Sequence, residues 1–466
     1  MKKSALLTFV CASFVVDQSA FAASSTATPV VGVTATSATS ATSATSATSA
    51  TPAAPMPQSA AVAAPAAKAQ NPGSAANIPD QKAMLNLMQS FPVWRVYEPV
   101  AQEMLIPFAL KPVTKASLTK LVDFQFSEKT QASFKEMFGN PDPLHINLID
   151  NPDGGVDVNI LLQALDYTDP QSQNHSRWDA LRSSVSYSKD FKHFNSTSDW
   201  PYFSQSFGAD ANLELKQIRI VQEASYNPHH IALGKAAITI PEINFQARSA
   251  GSNVNAKNVL MTSDVSQQGN KLNMVLDMNA AEVQFAGHSI GPIHIDYHFL
   301  NLNEAPMAAF IKEAAELNKA EPSTEKKLAE SRKLFTTKFL PILSPASRFE
   351  IRDLSVVYQS MKAALSAAVW LEKAKQSDMS DVKLLQQKIA AHVELTMPKA
   401  LALKITKFIG TFQPSASVEQ KANAGLQSMI ASGMVKEEQD QLSVVVDFMN
   451  GAVKVNGHEM NKAAKK

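Results

Sequence analysis

Residues 271–302 read KLNMVLDMNAAEVQFAGHSIGPIHIDYHFLNL. Leu272, Met274, Leu276 and Met278 fall on one side of an extended chain, with Asn273, Asp277 and Asn279 on the other. Past the glycines, Ile293, Ile295, Tyr297 and Phe299 alternate with His294, Asp296 and His298. Two period-two runs joined through a glycine-bearing segment predict antiparallel strands with one apolar face and one wetter face.

The joining segment, Gly287-His288-Ser289-Ile290-Gly291, fits G-x-S-x-G, the nucleophile elbow of hydrolases. An elbow requires a helix after the serine, whose N-terminus helps to stabilise an oxyanion. Here Pro292 and a strand pattern follow instead. The pentapeptide therefore reads as a hairpin connection with Ser289 in a turn, its two glycines permitting positive φ. Ser289, Asp353 and His392 occur in the order of a hydrolase triad, an order that arises readily in a long chain. A secreted serine hydrolase using GHSIG is the alternative reading. His294, Asp296 and His298 lie ~6.5–7 Å apart at alternate positions, a wide bite for one metal ion, so they read as a solvated strand face. The sequence calls for no catalytic, metal or cofactor-binding residue.

The strand period extends outward in both directions. HINLID and GVDVNIL flank Asp153-Gly154-Gly155, and LRSSVSYS, ANLELKQIRIV, HIALGKAAITI and INFQARS follow. After residue 302 the period changes: Met307, Phe310, Ile311, Ala314 and Leu317 predict a helix started by Asn303 and Pro306. Further helices are expected over 82–106, from Glu325 to Phe339, from Pro398 to about Phe408, and from Val418 to about Ile430. Strands return in FEIRDLSVVY, LSAAVWLE and AHVELTM. QLSVVVDFMNGAVKVNG is a hairpin around Asn450-Gly451. The expected class is α+β and β-rich: one long antiparallel meander with amphipathic helices on one face or end.

The N-terminal 79 residues have a different composition. Met1-Lys2-Lys3, the apolar stretch Ala5 to Val16 and Ala20-Phe21-Ala22 form a secretory signal peptide over 1–22. Residues 23–79, with five Thr-Ser-Ala triplets and then a Pro/Ala-rich tract, lack the apolar groups to offset ordering entropy and read as a disordered tether. The folded chain is divided into an N-terminal α+β part, 80–230, and a β-rich part with helices, 231–460. Cys11, the one cysteine, lies inside the signal, so the exported protein has no disulfide. The same cleavage leaves 41 basic and 41 acidic residues, which argues against a nucleic-acid partner.

Three segments in the C-terminal half carry a family resemblance: FLNLNEAPMAAFI, HVELTMPKAL, and LQSMIASGMVKEEQDQLSVVVDFMNGAVKVNG. Their order over residues 230–457 resembles the YdgA-like proteins, a bacterial envelope family of unknown function. The resemblance implies export, a β-rich body and residence at the periplasmic face of the inner membrane; it supplies no catalytic residues. The Ala22 cleavage site points to a released periplasmic protein, with an inner-membrane anchor facing the periplasm as the alternative. The expected role is a non-enzymatic envelope module for binding or scaffolding. Its sheet would cover an apolar, lipid-like ligand, meet the inner-membrane surface or pair with a second copy.

Overall fold

The computed structural model describes residues 92–105, 112–208, 211–247, 252–285, 287–319, 330, 333–334, 337–380, 382–411 and 418–460. The signal peptide over 1–22 and the tether over 23–79 lie outside them. So do the start of the helix expected over 82–106 and most of the helix expected from Glu325 to Phe339.

The described strands join in one antiparallel sheet. They are β1 (Leu144–Asp150), β2 (Val156–Leu162), β3 (Leu165–Thr168), β4 (His175–Trp178), β5 (Leu181–Tyr187) and β6 (His193–Phe207). Long strands follow: β7 (Ala211–Tyr226), β8 (Ala232–Ala247), β9 (Ser252–Gln268), β10 (Lys271–Phe285), the short β11 (His288–Ile290) and β12 (Ile293–Asn303). The C-terminal set is β13 (Arg348–Tyr358), β14 (Met361–Leu371), β15 (Ile389–Pro398), β16 (Lys436–Glu438), β17 (Gln441–Met449), β18 (Ala452–Val455) and β19 (His458–Glu459). From β5 to β10 each strand pairs with the next in sequence, and β10, β12, β13, β14, β15 and β17 continue the order. This is the β-rich meander that the period-two runs predict. The division expected at 230/231 falls inside the β7–β8 hairpin, whose register runs from Ala211↔Ala247 to Tyr226↔Ala232, so the sheet passes through it unbroken.

The helices gather at the sheet's margins. α1 (Pro92–Pro99) continues into a π-turn over Val100–Leu105, and α2 (Lys115–Val122) and α3 (Glu128–Phe138) follow. Thr114 and Ser117 cap α2 reciprocally, Ser127 caps α3, and Gly139 ends α3 in the left-handed region. α4 (Glu304–Lys319) follows β12 at the place expected, and α5 (Val382–Lys388) lies between β14 and β15. α6 (Lys399–Thr411) and α7 (Val418–Ala431) pack together between β15 and β17.

The main core lies beneath the N-terminal helices. Phe134 of α3 is fully buried in a chain of rings meeting edge to face that runs Phe126, Phe134, Phe138, Trp178, Trp200. Strands beneath this cover alternate between buried and exposed positions, as in β7, where Leu213, Leu215, Ile218 and Ile220 are buried. The alternation fades from β10 onward. Positions of both parities are half-exposed along most of β10, β12, β13 and β17. A strand covered on one side alternates in burial; one that is uncovered on both sides does not. Among the described residues, the C-terminal half of the sheet is therefore largely a single layer.

Candidate functional site

One face of that single layer is apolar across six strands. Strand register aligns Met278, Ile295, Leu354, Leu365, Leu395 and Val444 in a row from β10 to β17. A second row is Leu276, Tyr297, Ile351, Ala367, Val393 and Val446. The third is Met274, Phe299, Phe349, Val369, Ala391 and Phe448. Tyr297 stacks on Phe349 at 6.2 Å between ring centroids, and Phe299 lies 5.0 Å from Phe349, so neighbouring rows touch. Phe299 is 39% exposed and Val369 38%. None of the middle residues of these rows belongs to a buried cluster among the described residues.

The open area is framed on three sides. Met278 touches the N-terminal core. Phe310, Met307 and Ile311 of α4 pack with Leu272, Leu302 and Met274 at one margin. Leu426 and Ile430 of α7, with Leu403 of α6, pack with Met397, Leu442 and Val444 at the far end. Among the described residues, covered margins around a half-exposed centre leave a shallow apolar trough.

The opposite face is polar and braced by charge pairs. His294 sits between two carboxylates: Nε2 is 2.6 Å from Asp277 Oδ2 on β10, and Nδ1 is 2.9 Å from Asp353 Oδ2 on β13. The hydrogen bonds to Asp353 and then Asp277 raise the imidazole's pKa above its ordinary value, favouring the imidazolium. Partial burial pushes the Asp353 carboxyl up. Hydrogen bonds from His294 and Ser355, with the Lys362 and His294 charges, outweigh burial and leave it below the ordinary range. His298 pairs with Asp296 at 2.8 Å, and His392 with Asp447 at 2.8 Å. His294, Asp296 and His298 thus share a face, as alternation predicts; His298 pairs with Asp296, while His294 reaches across to Asp277 and Asp353. Among the described residues, no group of three or more His, Cys, Asp or Glu is arranged to hold a metal ion.

The GHSIG segment differs from its expected form. Ser289 is on a strand rather than in a turn: β11 folds back on β10 with Phe285↔His288 and Gln284↔Ser289 in register. Gly287 and Gly291 both have positive φ, as expected for the flanks. Gly291 also permits a close approach, since a Cβ there would lie 2.5 Å from the Ala281 carbonyl oxygen. Ser289 Oγ donates to Glu282 Oε1 at 2.6 Å. Lys257, then Ser289 and Gln284, hold that carboxyl down at about 2, which makes it a poor general base near neutral pH. Ser289, Asp353 and His392 are each bonded to a different partner, so the triad suggested by chain order is not assembled.

The three segments behind the family resemblance are joints between helix and sheet. In the first, Asn303 donates through Nδ2 to the carbonyls of Pro341 and Leu343 at 2.9 and 2.8 Å. Glu304, 7% exposed, accepts from Asn227 and Gln267, anchoring the start of α4. In the second, Pro398 ends β15, and the Lys399 backbone amide donates to the Asp440 carbonyl at 2.8 Å. In the third, Asn456 Oδ1 accepts from the Val445 amide at 2.9 Å while its Nδ2 donates to the Gly433 carbonyl at 2.9 Å. These are roles in fixing backbone, and the sequence signal for them was the motif itself.

Fold and site together define a class: a β-rich protein built on one meandering antiparallel sheet, with an uncovered apolar face framed by helices. A family model described as "Bacterial protein of unknown function (DUF945)" matches residues 101–463, and the chain belongs to that family. The match reaches further toward the N-terminus than the 230–457 stretch that carries the resemblance in sequence. No curated protein and no solved structure matches.

Proposed function

We propose that this chain is an exported, non-enzymatic module of the bacterial cell envelope that binds lipid acyl chains on the open face of its sheet. The observation that carries the reading is the set of three apolar rows from β10 to β17, half-exposed at their centre and framed by helices. Contiguous apolar patches beyond a few hundred Å² are uncommon on soluble proteins and mark interaction sites. The polar face behind the trough supports the reading from the other side, because its charge pairs favour contact with water. The signal-peptide pattern of residues 1–22 supports residence in the periplasm. Among the described residues, no helix is long and apolar enough to cross a membrane.

The test is uptake of isotope-labelled phospholipid by delipidated protein, comparing wild type with Leu365→Asp. Leu365 is half-exposed at the centre of the first row, so its substitution leaves the covered cores intact. The reading expects wild type to retain lipid through gel filtration and the variant to lose most of it. Equal retention by both proteins, or none by either, would contradict it.

A further inference from the structure

Resting on the reading above, we propose that the ligand carries at least two acyl chains, which lie side by side across the strands in the furrows between the three apolar rows. Rows two residues apart along a strand are separated by ~7 Å. Half that spacing, ~3.5 Å, matches the optimal carbon–carbon contact distance of ~3.5–4.0 Å. An alkyl chain laid between two rows therefore touches both. Three rows enclose two such furrows, one between the Met278 and Leu276 rows and one between the Leu276 and Met274 rows. The six strands span about 24 Å at ~4.8 Å per strand, and the four central ones, clear of the covered margins, leave each furrow about 14 Å fully open. That is close to the ~15 Å a single chain occupies in half of a ~30 Å hydrocarbon layer.

A single chain would fill one furrow and leave the other open. The outer row is the more exposed, with Phe299 and Val369 over a third accessible, so a second chain there removes the most apolar surface from water. A second copy of this chain fits less well. Even counted out to its covered margins, the area is at most roughly 24 Å by 20 Å, about 500 Å² a side and ~1,000 Å² for two copies. Stable interfaces bury ~1,200–2,000 Å². These three rows also contain no charged residue that would fix the register of a protein partner.

The experiment compares three probes on delipidated full-length protein: dioleoyl-phosphatidylethanolamine, its single-chain lyso form, and oleate. Affinities are measured by displacement of a fluorescent fatty acid, and stoichiometry by native mass spectrometry. One diacyl molecule per protein, bound at least tenfold more tightly than either single-chain probe, is the expected result. Phe299→Asp closes only the outer furrow, so it should reduce diacyl affinity to about the wild-type lyso level, while lyso lipid still binds measurably through the inner furrow; a general folding defect would abolish both. Lyso lipid or oleate binding as tightly as the diacyl form would overturn the two-chain inference and leave lipid binding standing. Failure of all three to bind, or dimerisation of the delipidated protein through this face without lipid uptake, would overturn both.

Discussion

The His294 imidazole lies 2.6 Å from the Asp277 carboxylate, seventeen residues earlier in the chain, and its second nitrogen is equally committed to Asp353. One side chain thereby ties β10, β12 and β13 together on the face opposite the apolar trough. In a single-layer region there is no second layer to hold strand order, so such cross-strand clasps carry more of the load.

This clasp gives a pH dependence with a definite sign. The pKa of His294 is raised in the folded state, so its contribution is fully present below ~6.5 and lost as pH rises through the folded value. The pKa of Asp353 is lowered, so its contribution is present above ~3.9 and lost as pH falls through the folded value. The difference in melting temperature between wild type and His294→Gln should be largest at about pH 5–6 and shrink toward pH 8–9. A difference that stays constant over that range would show that the imidazolium is not the species that matters.

Asn456 is the joint with the clearest cost. It has a φ of 51°, accepts from the Val445 amide of β17 and donates to the turn after α7. Asn456→Ala leaves both groups unpaired and puts alanine in the left-handed region. The expected loss is on the order of 2–4 kcal/mol by urea denaturation. A loss below ~0.5 kcal/mol would mean that water replaces the amide fully.

Gly291 is a second local test. Alanine there meets the Ala281 carbonyl and the Glu282 Cα, backbone atoms that cannot rotate away. Gly291→Ala should lower the melting temperature by several degrees, on the order of 1–3 kcal/mol. Gly287→Ala meets no atom within 4 Å and bears only the strain of its positive φ, so it should cost less. The reverse order would contradict the close-approach argument.

Ser289 is predicted to be unreactive. Its hydroxyl donates to a carboxylate held near 2, and it sits on a strand with another strand after it. A fluorophosphonate probe should give no labelling that disappears in Ser289→Ala. Labelling of that kind would restore the hydrolase reading.

Much of the architecture was legible because alternation is a strong signal where one face is apolar. KLNMVLDMN and IHIDYHFL became strands that pair with each other, β10 and β12, whereas AEVQF, expected as a separate strand joined by the hairpin to IHIDYHFLNL, is the end of β10 and pairs with β11 instead. Two long strands went unassigned in sequence. HFNSTSDWPYFSQSF, now β6, contains Pro201 and polar residues of both parities; SNVNAKNVLMTSDVSQQ, now β9, has few apolar residues to set a period. Tertiary pairing, not local pattern, makes them strands. HIALGKAAITI and INFQARS read as separate segments because of Pro241, yet they form one strand, β8. Its registers with β7 and β9 both skip that residue, since proline supplies no amide to the ladder. The clasp was half legible: alternation put His294 on the polar face, but its partners come from strands 17 and 59 residues away. Whether the apolar face is closed depends on where the helices settle, and no local pattern encodes that.

The most direct test of lipid binding is mass spectrometry of what co-purifies with the protein from its native envelope without detergent exchange. The account predicts bound diacyl lipid at close to one molecule per chain, markedly reduced in Leu365→Asp purified in parallel. Protein that emerges folded, monomeric and free of lipid would contradict it.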